Sequence, residues 1–246
     1  MYPAIVTIFG PPPQEIDLQE STTAYDNSVV ISLSVMAVLA VIVRIWARRI
    51  KNAPLGLDDV FIFAALLLEL VTMVLTILGG KQGSGNHVWV ISTTQLQTIF
   101  KILYGYTFIY GTAAAALKLS FVFYFARIFH TGSMGCIFAC KDYISVALLV
   151  GGVLAWAYPL MIWTVMLGAC KPIHYFWDQY TDPHGGSCVD TTLFFPIAGI
   201  INLLIDFIIL CIPIPCNMRL QIKRPEKFMI ICIFMLGGLY VYIILG

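Results

Sequence analysis

Apolar stretches of membrane-crossing length recur six times in this chain, at about 28–46, 60–78, 103–125, 143–167, 191–212 and 228–246. Roughly 20 apolar residues in a helix cross the ~30 Å hydrocarbon core of a bilayer. Helices satisfy their own backbone polar groups there, so this pattern leaves little else for the chain to be. The totals agree: 60% of residues are hydrophobic and 11% charged, against about 25% charged in soluble domains. The expected fold class is all-α, a polytopic transmembrane helix bundle with six spans. Residues 1–27 form an extracellular tail, and residues 28–246 are the membrane domain. The opening MYPAIVTIFGPPP lacks the basic start and long apolar run of a signal peptide, and reads as an ordinary short tail. No region is basic enough for a nucleic-acid partner; the lipid bilayer is the expected partner.

Basic residues orient the bundle. Arg44, Arg48, Arg49, Lys51, Arg127, Lys141, Arg219, Lys223, Arg224 and Lys227 fall on one side of the membrane, and Lys81, Lys101 and Lys171 on the other. Positive charge marks the cytoplasmic side, so the N-terminus is expected outside, and with six spans the C-terminus outside too. The sixth span ends at the last residue with no polar anchor, which suggests a fragment or a shortened gene model. The Gly-rich loop before His87 and Trp89 follows a membrane helix and lacks a G-K-[ST] ending, so it is no phosphate loop. Trp89 is expected to anchor at the interface. Asp58 and Asp59 open the second span and are read as helix caps.

The cysteines follow the same sidedness. Cys170 and Cys188 fall outside; Cys136, Cys140, Cys211, Cys216 and Cys232 lie in inner loops or inner halves of helices. Disulfides belong to the oxidising exterior, which pairs Cys170 with Cys188. Their loop also carries His174 and His184, a loose four-ligand zinc spacing, and the disulfide is the preferred reading. Cys211 and Cys216 are candidates for palmitoylation, with buried free thiols preferred.

Ionisable residues inside apolar spans are costly and must face protein or water. Three are present, Glu69, Lys118 and Asp206, and Asn202 shares a helix face with Asp206 four residues on. Pro213 and Pro215 then break that helix ahead of the basic loop Arg219, Lys223, Arg224 and Lys227. Counting residues to the inner ends puts all three ionisable groups some 13–15 Å deep, at about ~1.5 Å per residue. A common level lets them meet if their helices are neighbours. Lys118 is expected to pair with Asp206, and Glu69 to be a second partner or to keep its proton. One turn before Lys118, the run Gly111 to Ala116 lacks bulky side chains, so another helix can approach closely. The cluster is either a static lock between helices or a two-state element. No catalytic signature is visible, neither H-E-x-x-H, G-x-S-x-G nor a Walker sequence, and an enzyme is not expected. Nor is a metal or cofactor.

Several segments resemble the fungal rhodopsin-domain family of integral membrane proteins, which includes proposed G-protein-coupled receptors of plant-pathogenic fungi. They are LGLDD (Leu55 to Asp59), GSGNHVW (Gly83 to Trp89), KLSFVFYFARIF (Lys118 to Phe129), CKPIHYFWD (Cys170 to Asp178), GGSC (Gly185 to Cys188) and NLLIDFIILCIPIP…RLQIKR. They occur in the family's order over roughly residues 28 to 240. The resemblance implies a seven-span architecture, of which this chain would lack the last helix. It does not imply retinal: a Schiff-base lysine would sit in the last helix, and the mid-span Lys118 is in the third.

The leading expectation is a receptor-like plasma-membrane protein. His87, Trp89, Trp177 and the Cys170–Cys188 loop would shape an outer mouth for an extracellular ligand. The basic loop would meet a cytoplasmic signalling protein. The alternative is a transporter or proton-coupled carrier that uses Glu69, Lys118 and Asp206 as its pathway. Carriers often repeat their spans internally; no such repeat is visible between spans one to three and four to six.

Overall fold

A computed structural model describes residues 3–13, 17–52, 54–131, 141–182, 185–189 and 191–212. The sixth span, the basic loop Arg219–Lys227, Pro213, Pro215, His184, Cys136, Cys140, Cys216 and Cys232 lie outside the described residues. Five long helices carry apolar windows of membrane-crossing length: α2 (Thr23–Ile50), α3 (Leu57–Lys81), α4 (Thr93–Thr131), α5 (Lys141–Gly168) and α7 (Thr191–Cys211). Short elements complete the order. They are α1 (Pro3–Phe9), a 3-10 turn at Val88–Val90, β1 (Cys170–Lys171), α6 (Tyr175–Asp178) and β2 (Ser187–Cys188). This is an all-α membrane bundle.

Local chemistry explains the helix ends and the hydroxyls. Asn52, at φ 47°, turns the chain out of α2 while its N–H bonds back to Arg49 O at 3.1 Å. Asn tolerates that left-handed conformation better than other non-Gly residues. At the start of α3 the Gly56 N–H donates to Asp59 Oδ2 at 3.0 Å, a side-chain acceptor reaching back over the helix N-terminus. Within the spans, hydroxyls bond to the preceding turn: Thr72 to Glu69 O, Thr76 to Thr72 O, Thr107 to Leu103 O and Thr112 to Phe108 O, at 2.7–3.0 Å. With no water in the hydrocarbon core, this is how a threonine satisfies itself.

The 39-residue α4 is about 58 Å long, nearly twice the hydrocarbon thickness. It is also the most buried of the five. Its polar lead-in, Thr93 to Lys101, is helical. Residues Ala113 to Ser120 form its most enclosed stretch, with Ala113, Ala115, Ala116, Lys118, Leu119 and Ser120 all buried.

The chain forms two compact units. The first comprises Met1–Pro54, Phe63–Ala113 and Ile162–Val189, and the second Leu55–Ile62, Ala114–Met161 and the described part of Asp190–Gly246. In the first unit the amino-terminal segment is packed, unlike the ordinary tail its composition suggests. Ile5 is fully buried, Phe9 packs on Tyr180 with centroids 5.2 Å apart, and the Trp89 indole N–H donates to Gly10 O at 2.9 Å. Trp89 thus ties down the segment through its indole. The Gly-rich loop docks on the start of α2: Thr22 N–H donates to Gly85 O at 2.9 Å and Thr23 Oγ1 to Ser84 O at 2.7 Å. Gly85 has φ 90°, and a Cβ there would lie 2.8 Å from Thr23 N, so both conformation and space demand glycine.

Candidate functional site

The second unit holds a buried cation. Lys118, on α4, is 2% exposed, and three groups surround its ammonium. Asn202 Oδ1 lies 2.6 Å from Nζ, Asp206 Oδ1 lies 2.8 Å away, and the Tyr158 ring centroid is at 5.5 Å. Asn202 and Asp206 sit one turn apart on α7, so the i, i+4 spacing delivers both oxygens to one point. Tyr158, on α5, is 2% exposed and precedes Pro159, which interrupts the helical hydrogen-bond ladder. The three donors of an ammonium therefore meet a carboxylate, an amide oxygen and a π face. The pair is asymmetric: the Lys118 side chain is 3% exposed and that of Asp206 37%. Such a centre holds three helices together through one charge and can reorganise if that charge or its partner changes.

A second ion pair joins α3 to α4 in the same unit. Arg127 Nη1 donates to Asp58 Oδ1 at 3.3 Å, and the Ser120 hydroxyl donates to Asp58 O at 2.7 Å. The capping reading of the acidic doublet is seen at Asp59, and Asp58 also meets an arginine of another helix, a contact that reading did not include. The signal was present in the sequence: an acid opening one span and an arginine closing another lie at the same membrane level. Tyr158 carried a weaker signal, an aromatic beside a mid-span proline.

Glu69 belongs to the first unit, is half-buried, and accepts a hydrogen bond from Thr72 of its own helix at 3.4 Å. The first unit also contains the disulfide. Cys170 and Cys188 face each other across β1 and β2 and are bonded, with a sequence separation of 18. That bond takes both thiols, so the zinc reading of the loop fails for want of thiolate ligands.

The bridged loop packs on the lead-in of α4. Phe176 and Trp177 meet Tyr104 at centroid distances of 5.4 and 5.7 Å, and Phe176 meets Phe100 at 5.9 Å. Lys101 Nζ sits 6.0 Å above the Trp177 ring, and the Gln97 amide donates to Asp178 Oδ1. Burial against Phe9 and Phe100 raises the Tyr180 phenol above its ordinary pKa, so it stays protonated at neutral pH. His87 lies 6.5 Å from Trp89, ring to ring.

No solved structure matches the chain. Among curated proteins it is similar to "Polyenoic acids biosynthesis gene cluster protein Ba17b" of Metarhizium anisopliae, 24% identical over 92% of this chain. It is also similar to a SAT4 family membrane protein of Emericella nidulans, 28% identical over 67% of this chain. The matched regions span 60% and 40% of those two relatives' lengths. Residues 43–245 match the fungal rhodopsin domain, and with its bundle of apolar helices the chain belongs to that family of multi-pass membrane proteins.

Proposed function

We propose that the chain is a receptor-like protein of the plasma membrane, N-terminus outside, that senses an extracellular cue. The observation that carries this reading is the buried Lys118 ammonium, held between α4, α5 and α7 by Asn202, Asp206 and the Tyr158 ring. One charge at the junction of three helices is a natural two-state element, because losing a contact to it changes how all three pack. The disulfide supports an oxidising, external position for its loop, and the basic residues Arg219, Lys223, Arg224 and Lys227 would then face a cytoplasmic signalling partner. One relative's name ties it to a polyenoic acid gene cluster, which makes an apolar acid the first cue to try.

A second reading, a proton-coupled carrier, draws on the partial exposure of Asp206 beside a buried lysine. The charge exchange Lys118→Asp with Asp206→Lys separates these roles. Both proteins are reconstituted, checked for the Cys170–Cys188 bond, and assayed for cytoplasmic partner capture with the basic loop intact or neutralised. The receptor reading expects capture that needs the basic loop and changes with the exchange. Capture indifferent to both changes, together with proton-driven uptake into vesicles, would replace it with the carrier.

A further inference from the structure

The two acids that open α3 reach different partners. Asp59 accepts the Gly56 N–H at the helix N-terminus, and Asp58 pairs with Arg127. Asp58 is 2% exposed, and its carbonyl is held by the Ser120 hydroxyl. The space beside this pair belongs to Gly56. A Cβ there would lie 2.5 Å from Asp58 Oδ1 and 2.7 Å from Arg127 Nη1. Gly56 is not among the glycines of positive φ. Its backbone suits any residue, so its need for glycine is the space the ion pair fills.

We propose that Gly56, Asp58 and Arg127 form a clamp between the start of α3 and the end of α4, with Gly56 as its positioning residue. Releasing the clamp yields a second conformation in which those two helix ends separate. The two side chains of the clamp are unequally enclosed. Arg127 is 29% exposed and Asp58 2%, so the guanidinium is the accessible member of the pair and the carboxylate the enclosed one. Parting the pair takes a close cation away from a buried carboxylate, which is costly and favours a rearrangement of the two helix ends over a small local shift. One turn after Asp58 on α3 and one turn before Arg127 on α4, Phe61 stacks on Phe123 with centroids 5.2 Å apart and planes 13° apart, a contact that can serve as the pivot. The clamp is independent of the Lys118 centre and of the receptor reading.

The test is a spin-label distance distribution in nanodiscs. Labels replace Val60 and Ile128, both lipid- or solvent-exposed near the two helix ends. The unclamped variants are Gly56→Ala and Asp58→Asn. The parent should show one dominant short distance. Each variant should raise the long-to-short ratio at least about tenfold, the scale of one charge-assisted hydrogen bond. The double variant should go no further than either single, because both act on one contact. Arg127→Lys, which keeps the charge, should fall between. Should Gly56→Ala fail to form the Cys170–Cys188 bond, the isosteric Asp58→Asn decides the question. Unchanged distributions in Asp58→Asn, or additive effects of the two changes, would overturn the clamp.

Discussion

The two compact units hold themselves together by different means. The first uses a disulfide, an aromatic cluster spread over α1, α4 and the bridged loop, and main-chain bonds between the Gly-rich loop and α2. Several rings there have more than one partner: Tyr104 meets Phe176 and Trp177, and Phe100 meets Phe176 and Tyr180. Among the described residues the second unit has two ion pairs, Lys118–Asp206 and Asp58–Arg127, each with one nearly buried member. Distributed aromatic and covalent contacts degrade gradually, whereas a single buried charge fails abruptly when its counter-charge goes. The first unit is thus built to stay as it is, and the second to depend on individual residues.

The largest effect should come from the second unit and should itself be lopsided. Asp206→Asn keeps the shape but leaves a 3%-exposed ammonium without a counter-charge, which should cost about 3–5 kcal/mol. Lys118→Met leaves Asp206, whose side chain is 37% exposed and so less enclosed by protein than the ammonium, and the cost should be smaller, about 1–2 kcal/mol. Thermal melts in detergent rank the two, and the double variant should be more stable than Asp206→Asn. Equal losses would mean that the exposure difference has no energetic weight.

Next comes the bridge of the first unit. The chain-entropy value of closing an 18-residue separation is about 3 kcal/mol. Cys170→Ser and Cys188→Ser should lower surface expression equally, and the double change should be no worse than either. Additive losses would show that the two sulfurs act separately.

The smallest effect tests whether the first unit really distributes its load. Trp89→Phe removes the indole donor to Gly10 and should cost about 1 kcal/mol. Deleting residues 1–10 should abolish that increment, because the acceptor is gone. A Trp89→Phe penalty that persists in the shortened protein would point to the ring, not the hydrogen bond.

Sequence alone determined the class of the molecule, the order of the described spans, the Cys170–Cys188 bridge and the common depth of Lys118 and Asp206. These follow from one-dimensional physics: hydrocarbon thickness sets span length, redox compartment sorts thiols, and helical rise converts residue number into depth. Tertiary structure decided which helices are neighbours and how each is turned about its axis. That is why the third partner of Lys118 is the Tyr158 ring, and why Asp58 meets Arg127 while Asp59 accepts the Gly56 N–H. It is also why Gly56 and Gly85 are required by groups far away in sequence, Arg127 and Thr23. Depth is written along a membrane helix; azimuth depends on small differences in packing between several apolar faces, and no local pattern of residues encodes it.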